Sequence, residues 1–190
     1  MVPPDPVPVL AISGPVGVGK SSVVGEIHDL LCERGVPHAC LDRDALMHSW
    51  PREGRFNEGL TLRNLRAVWA NFHAAGARQL VIDGVIERAE DLEGYRAAVP
   101  GAVITTCRLR APEPTRLDRL RSREKGAGLA WHLHRTVELE RILDAGRLED
   151  FIVENGDRPL RAVAEEVLVR AGWLEPGRPS TEAGRRPGSA

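Results

Sequence analysis

Apolar residues along this chain form two alternating patterns: short continuous runs, and longer segments with an apolar position about every three or four residues. The runs are typical of buried strands, and the spaced segments are typical of helices with one buried face. The predicted strands are PVLAIS (8–13), PHACLD (37–42), RQLVIDG (78–84), GAVITTCRLRA (101–111) and DFIVEN (150–155). The predicted helices cover 20–34, 61–75, 89–99, 115–125, 129–145 and 158–173.

The alternation of strands and helices predicts an α/β fold. We expect a three-layer α/β/α sandwich with a five-stranded parallel sheet that helices cover on both faces. Folds of this kind bind ligands at the carboxyl ends of their strands. The expected binding edge therefore follows Ser13, Asp42, Asp83 and Arg108, and the polar stretch at 43–59 is expected to lie over it.

Composition narrows the class of protein. The chain has 190 residues, of which 42% are hydrophobic and 28% charged, and its formal net charge is −1. These values are typical of one soluble globular domain, with no net field to attract nucleic acid or an acidic membrane. No apolar run approaches the roughly 20 residues that span a bilayer, and the N-terminus lacks a signal pattern. We expect a lead-in at 1–7, one domain at 8–173 and a disordered tail at 174–190, in a cytoplasmic monomer or homodimer.

The cysteines and histidines give no indication of a metal site. Cys32, Cys40 and Cys107 are scattered along the chain without metal-ligand spacing. This distribution favours reduced thiols that act as small core residues. The six histidines show no such spacing either.

The stretch GPVGVGKS, residues 14–21, carries the most specific chemical signal. It fits the pattern G-x-x-x-x-G-K-[ST] and lies between a predicted strand and a predicted helix. Glycines let the backbone amides point at phosphate oxygens, while Lys20 can reach the β- and γ-phosphates and the Ser21 hydroxyl can bind Mg²⁺. The predicted nucleotide-binding residues are Gly14, Pro15, Val16, Gly17, Val18, Gly19, Lys20, Ser21 and Ser22.

Other nucleotide-dependent classes match the chain less well. A small GTPase would carry an N-K-x-D motif, which is absent, and the GTPase-like DLEG at 91–94 falls inside a predicted helix. A motor ATPase would usually end a long apolar strand with an acidic pair, whereas LVIDG ends with Asp83 alone. A nucleotide-binding ATPase or regulatory module without a small-molecule acceptor remains the alternative to a kinase.

Four stretches together carry a family resemblance: GPVGVGKSS (14–22), LDRDAL (41–46), RLDRLRSREKG (116–126) and VENGDRPLRAVAEEVL (153–168). On these residues the chain resembles the small P-loop kinases, and adenylylsulfate kinase and the chloramphenicol phosphotransferase-like group are the nearest likenesses. The resemblance implies ATP and Mg²⁺ as cofactors and a hydroxyl of a small molecule as phosphate acceptor. It also implies a lid near 112–128, with hinges at Gly126 and Gly128.

The acidic residues at the predicted sheet edge are candidates for catalysis and metal binding. The resemblance places Asp42 or Asp44 beside the acceptor hydroxyl, where a carboxylate can orient that hydroxyl and take its proton. Alternatively, Asp42 caps the helix that begins near Ala45. Asp83 is predicted to hold Mg²⁺ with Ser21 or to act on the acceptor, or else to begin a turn with Gly84.

Arginines supply the remaining candidates. Arg116, Arg119 and Arg123 share one face of the helix at 115–125, and from a lid they can stabilise the migrating phosphoryl group. Arg119 and Arg123 are the chosen catalytic candidates, and a solvated basic face is the alternative. Arg43, Arg63 and Arg66 are candidates for contact with an anionic acceptor, although an exposed surface role suits Arg63 and Arg66 equally well.

Departures from related kinases leave the acceptor open. The third strand is followed by DGV, where shikimate kinases would have a glycine triplet and thymidylate kinases an Asp-Arg pair. The stretch MHSWPREGRFNEG (47–59) lacks the acceptor signatures of a true adenylylsulfate kinase. The sequence therefore predicts an adenylylsulfate-, nucleoside- or antibiotic-type acceptor without choosing among them.

Overall fold

Parallel strands form the central sheet of the computed structural model, which describes residues 5–54 and 56–175. The strands lie in the order β2-β3-β1-β4-β5. They are β1 (Val7–Ser13), β2 (His38–Asp42), β3 (Gln79–Asp83), β4 (Ala102–Arg110) and β5 (Phe151–Glu154). The predicted five-stranded parallel sheet is therefore confirmed.

Helices connect the strands and cover the sheet. They are α1 (Lys20–Glu33), α2 (Glu58–Ala74), α3 (Ala89–Ala98), α4 (Glu113–Arg123), α5 (Ala127–Gly146) and α6 (Leu160–Arg170), and a 3₁₀ turn spans Asp44–Leu46. Each helix begins and ends within about three residues of its predicted bounds, a difference typical of fraying helix ends.

Side chains alternate across the sheet because successive residues of a strand point to opposite faces. On β1, Leu10 and Ile12 face the core beneath α1 and α6, whereas Val9 and Ala11 face the core beneath α2 and α3. The two cores lie on opposite faces of one sheet, which confirms the three-layer α/β/α sandwich.

The register brings the chemically important strand ends together. Asp83 is paired with Ile12 of β1 on one side and with Asp42 of β2 on the other. The chain also changes direction here, since β1 connects toward β2 and β3 connects back across β1 to β4. A crevice at such a switch point is where open α/β sheets bind ligands.

Arg108, at the end of β4, has a different role from the other three edge positions. Its side chain is only 1% exposed and pairs with Glu140 at 2.6 Å, Asp144 at 2.9 Å and Glu149 at 3.6 Å. These acids lie on α5 and in the segment after it. Arg108 therefore anchors α5 to the sheet and does not form part of the binding edge.

Within the described ranges, no helix combines the length and the apolar character needed to cross a bilayer. Most of the predicted tail, from residue 176 onward, lies outside the described residues.

Candidate active site

The glycine loop, residues 14–21, joins the end of β1 to the start of α1. Gly17 and Gly19 have φ values of 82° and 98°, a region that favours glycine. A Cβ at Gly17 would lie 2.8 Å from the Arg116 carbonyl oxygen, and one at Gly19 would lie 2.6 Å from Asn155 Nδ2. The loop is therefore packed closely on its outer side, and side chains there would displace it.

Buried side chains hold carbonyl groups of the glycine loop from outside. The Thr136 hydroxyl donates to the Val16 carbonyl oxygen at 2.7 Å. Asn155 Nδ2 donates to the Val18 carbonyl oxygen at 2.7 Å, and Arg119 Nη1 donates to the same oxygen at 3.1 Å. These contacts fix the loop in a wrapped shape before any ligand binds, which lowers the cost of ordering it on binding.

Lys20 occupies the inner side of the glycine loop. Its ammonium donates to the carbonyl oxygens of Gly14 at 3.0 Å and Pro15 at 3.3 Å. Burial lowers the pKa of Lys20, and the carboxylates of Asp83 and Asp44 act in the opposite direction. The charge is thus held in a site whose polar partners are weak carbonyl acceptors, and an anion arriving there would be a better partner.

Ser21 and Asp83 form a contact suited to a divalent cation. The Ser21 hydroxyl donates to Asp83 Oδ2 at 2.7 Å, while Oδ1 of the same carboxylate is buried without a hydrogen-bond partner in the described part of the chain. Burial raises the pKa of Asp83 to about 6, although the Ser21 hydrogen bond lowers it. An orphaned buried carboxylate oxygen beside a hydroxyl matches the oxygen ligands that Mg²⁺ prefers, so these residues fit the ion.

Asp42 and Asp44 lie where β2 ends, at the same edge of the sheet as Asp83. Asp42 Oδ1 accepts a 2.8 Å hydrogen bond from the Asp44 backbone amide, which stabilises the start of the 3₁₀ turn. Arg43 occupies the cap position of that turn, so this contact with Asp44 is not the helix cap that the sequence left open. It uses one oxygen of Asp42, and both carboxylates line the cavity beside the glycine loop.

A cavity of about 730 Å³ opens between the glycine loop, the end of β3 and the residues after β2. Ligand sites of small-molecule enzymes commonly fall between about 300 and 1,000 Å³. The predicted residues that line it are Val16, Gly17, Gly19, Lys20, Ser21, Ser22, Asp42, Arg43, Asp44, Asp83 and Arg123. The sequence therefore predicted 11 of the 24 residues that line this cavity.

The arginines of α4 do not share one environment, and this corrects the sequence analysis. Arg116 is 3% exposed and pairs with Glu140 at 2.9 Å, because α5 packs over this face of α4. Arg119 points behind the glycine loop and donates to the Val18, Asn155 and Gly156 carbonyl oxygens. Arg123 lies in the cavity lining, so the structure separates it from the other two arginines.

The arginines predicted on α2 are also placed away from the cavity lining. Arg63 is exposed and forms a 2.8 Å ion pair with Glu53, and Arg66 is exposed. These positions fit the exposed surface role that the sequence left open for Arg63 and Arg66. Arg43, in contrast, contributes to the lining.

Residues from α5 and from the start of α3 complete the cavity and were missed from the sequence. Arg135, whose side chain is 12% exposed, pairs with Glu87 and with Glu138 at 2.8 Å. Asp91 accepts hydrogen bonds from the backbone amides of Glu87 and Arg88, at 2.9 and 3.0 Å, and so fixes the segment after β3. The pattern that could have revealed Arg135 was its position one helical turn from both Trp131 and Leu139, on the same face of the helix.

Comparisons with known proteins identify a family and a shared fold. A family model described as an AAA domain matches residues 10–144. No curated protein sequence matches the chain significantly.

Several solved structures share the fold at low sequence identity. The tunicamycin resistance protein of Deinococcus radiodurans aligns with a TM-score of 0.63 at 17% identity, covering 88% of this chain and 97% of that one. A gluconokinase from Sinorhizobium meliloti aligns with a TM-score of 0.59 at 19% identity, covering 89% and 94%. The APS kinase of Mycobacterium tuberculosis, solved with AMPPNP and APS, aligns with a TM-score of 0.54 at 22% identity, covering 87% and 97%.

The family match spans the glycine loop, the strands that carry Asp42 and Asp83, and most of α5. The structural neighbours extend the same likeness over almost the whole described chain. The chain belongs to the AAA domain family, and its fold is that of the small P-loop kinases.

Proposed function

We propose that this protein transfers the γ-phosphate of Mg·ATP to a hydroxyl group of a small molecule. The observation that carries the proposal is the meeting of three groups at one cavity: Lys20, the Ser21–Asp83 pair and the Asp42 carboxylate. A phosphoryl donor, a metal and an acceptor hydroxyl each have a chemically suitable partner there.

The nucleotide phosphates are proposed to bind in the glycine loop. The loop precedes the N-terminus of α1, whose first amides and positive dipole end favour an anion. Thr136 and Asn155 hold the carbonyl groups of Val16 and Val18 from outside, which leaves the inner side of the loop to phosphate oxygens. Lys20 would exchange its contacts with the Gly14 and Pro15 carbonyl oxygens for the β- and γ-phosphates.

Ser21 and Asp83 are the residues that would hold Mg²⁺. When bound, the ion neutralises charge that develops on the phosphate oxygens during transfer. Asp83 can bind Mg²⁺ only as a carboxylate. Burial disfavours the carboxylate, because it raises the pKa of Asp83 to about 6. We therefore expect this site to need a pH above about 6.

Asp42 is proposed to act on the acceptor, with Asp44 beside it. Asp42 lies at the strand end next to Asp83, and its Oδ1 is oriented by the Asp44 amide. In the reaction, the acceptor oxygen forms a bond to the γ-phosphorus, and the bond from that phosphorus to the β–γ bridging oxygen breaks. The hydroxyl proton passes to a carboxylate oxygen of Asp42, and ADP leaves.

Arg123 is the arginine proposed to face the migrating phosphoryl group. It is exposed at the C-terminal end of α4, lines the cavity and pairs with Glu124 at 2.7 Å. An anion in the cavity can compete with Glu124 for its guanidinium, since the Arg123 side chain is 63% exposed and ion pairs of exposed side chains are weak. Arg119 is proposed to position the loop and not to contact the phosphoryl group.

The remaining lining supports a polar acceptor with an apolar surface. Apolar side chains are contributed by Met47, Phe56 and Trp131, and charged ones by Glu58, Arg88 and Arg135. Adenylylsulfate-, nucleoside- and antibiotic-type hydroxyl compounds all have this character, and the structural neighbours include an APS kinase and an antibiotic resistance protein. A regulatory module without an acceptor would not need a cavity that extends from the loop past Asp42.

An acceptor screen tests the proposal. ADP release from Mg·ATP would be followed with nucleosides, adenylylsulfate, sugars, gluconate, and aminocyclitol and phenicol antibiotics, each against a blank without acceptor. The proposal predicts that at least one class stimulates ADP release in the wild-type protein and not in Lys20→Ala. ATP hydrolysis that none of these compounds stimulates would favour the regulatory module.

A further inference from the structure

Three potential metal ligands meet on the side of α1 that faces β2, away from the cavity. His28 and Cys32 are one helical turn apart on α1, and His38 is the first residue of β2. Their ligand atoms all lie within 4.8 Å of one another. These residues show no metal-ligand spacing along the sequence, but the helix and the following strand bring the separated positions together.

A hydrogen bond sets the His38 ring in a ligand-like state. His38 Nδ1 lies 2.7 Å from the Val36 carbonyl oxygen, which can only accept, so Nδ1 carries the proton and Nε2 presents a lone pair. A backbone carbonyl that fixes the tautomer of the ring is the usual outer partner of a metal-binding histidine. The lone pair of His38 Nε2 points at His28 Nδ1, 2.8 Å away.

Two of the spacings among these side chains can be compared with those around a tetrahedral ion. With bonds of about 2.05 Å to nitrogen and about 2.3 Å to sulfur, such an ion separates two nitrogens by about 3.3 Å and a nitrogen and a sulfur by about 3.6 Å. Here Cys32 Sγ lies 3.8 Å from His28 Nδ1, and the two nitrogens lie 2.8 Å apart. Around the ion the two rings would move apart by about half an ångström, and the Cys32 side chain, within 4.8 Å of both, would adjust to complete the site. Because His28 is exposed and His38 is partly exposed, both rings have room to move.

We propose that His28, Cys32 and His38 bind a Zn²⁺ ion, with water in the fourth position. Two imidazoles and a thiolate bind Zn²⁺ in preference to Mg²⁺, because Mg²⁺ takes oxygen ligands. Binding requires His28 Nδ1 to be unprotonated, so its ring proton moves to Nε2, and the Cys32 thiol releases its proton to solvent.

The ion would join two elements that carry the active site. β2 begins at His38 and ends at Asp42, so the metal site lies about 13 Å of strand away from the cavity. α1 begins at Lys20, and His28 lies about two turns further along the same helix. Zinc would therefore stabilise the packing of α1 on β2 from the opposite end, without contacting the nucleotide or the acceptor.

Cobalt substitution tests this site in the full chain. The protein would be reduced, stripped of metal with a chelator and titrated with Co²⁺ in excess Mg²⁺, so that Ser21 and Asp83 do not compete. We expect one equivalent to bind with a thiolate-to-cobalt charge-transfer band and visible bands of tetrahedral intensity, both removed by added Zn²⁺. Zn²⁺ should also raise the melting temperature of the apoprotein.

Matched variants separate the proposed ligands from other groups. Cys32→Ser should lose the charge-transfer band, and His28→Ala and His38→Ala should each weaken Zn²⁺ binding by about a hundredfold or more. Cys107→Ala and His134→Ala remove the same side-chain types elsewhere and should leave binding unchanged. Folding of each variant is checked by circular dichroism without metal.

The proposal is overturned if Co²⁺ binds without a sulfur band, or if the band persists in folded Cys32→Ser. It is also overturned if the wild-type apoprotein binds no Zn²⁺ at micromolar concentration. These results do not depend on ATP or an acceptor, so they stand or fall separately from the proposed kinase activity.

Discussion

The Ser21 hydroxyl donates a 2.7 Å hydrogen bond to Asp83 Oδ2 and so joins the first turn of α1 to the carboxyl end of β3. The contact spans 62 positions of the chain and lies at the base of the cavity. It links Ser21, the residue after Lys20, to Asp83, which lies beside Asp42 on the neighbouring strand. The sheet register and this contact therefore fix the position of the glycine loop relative to Asp42, the residue proposed to act on the acceptor.

Asp83→Asn should make the protein more stable at high pH and remove its transfer activity. Burial raises the pKa of Asp83 from 3.8 to about 6, so between about pH 4 and pH 6 the folded protein binds more protons there than the unfolded chain. The free energy of unfolding contributed by this group therefore falls as pH rises through that window and stays low above it. Asparagine keeps an acceptor for Ser21 without the buried charge, so the variant should be more stable by about 2–3 kcal/mol at pH 8 without Mg²⁺.

Denaturant unfolding from pH 4 to pH 8 measures this effect, with Asp118→Asn on the exposed face of α4 as the matched control. The difference between wild type and Asp83→Asn should grow with pH, and the Mg²⁺-dependent transfer of the variant should be lost. An identical pH dependence of stability in both proteins would show that Asp83 is not a buried, destabilising carboxylate.

Lys20→Ala should abolish phosphoryl transfer while the fold persists. The ammonium donates to carbonyl oxygens of the loop itself, and its loss removes a charge that matters chiefly when phosphate is present. A decrease in kcat/KM for ATP of about a hundredfold or more is expected. Lys125→Ala, which changes the other lysine of the chain, should keep wild-type turnover, and comparable losses in both variants would contradict the assignment.

Asp42→Asn should retain ATP binding and slow transfer by about 10²–10⁴-fold. The asparagine oxygen can still accept the Asp44 amide, so the 3₁₀ turn is preserved and only the proton acceptor is lost. Nucleotide affinity by calorimetry and turnover at saturating acceptor measure the two properties separately. If turnover is lost in Asp44→Asn and kept in Asp42→Asn, the base is Asp44.

Arg119→Ala and Arg123→Ala should have different effects. Arg119 donates to three carbonyl groups behind the glycine loop, so its removal should lower the melting temperature and weaken ATP binding. Arg123 is exposed and paired with Glu124, so its removal should leave the melting temperature unchanged and lower kcat. Equal losses of stability in the two variants would mean that Arg123 is also structural.

The sequence was sufficient to predict the sheet and the centre of the site for physical reasons. The strands are short apolar runs, and the glycine pattern between β1 and α1 is specific to loops that wrap around phosphate groups. Because parallel strands end at one edge, Asp42 and Asp83 could be placed near Lys20 before their register was known.

The residues that the sequence missed depend on packing between distant helices. Helical spacing placed Arg116, Arg119 and Arg123 on one face, but it could not show that α5 covers Arg116 or that Asn155 lies near Arg119. Thr136 has no distinguishing pattern, since its role follows from its contact with Val16, 120 positions away. Periodicity describes one element at a time, and these contacts arise between elements.

The most direct test of the central claim follows the γ-phosphate itself. The wild-type protein would be incubated with Mg²⁺, γ-labelled ATP and the acceptor class that gives the highest ADP release, and the products would be separated. The account predicts label on a hydroxyl of the organic acceptor in wild type and its loss in Asp42→Asn. Label recovered only as inorganic phosphate, whatever compound is added, would contradict it.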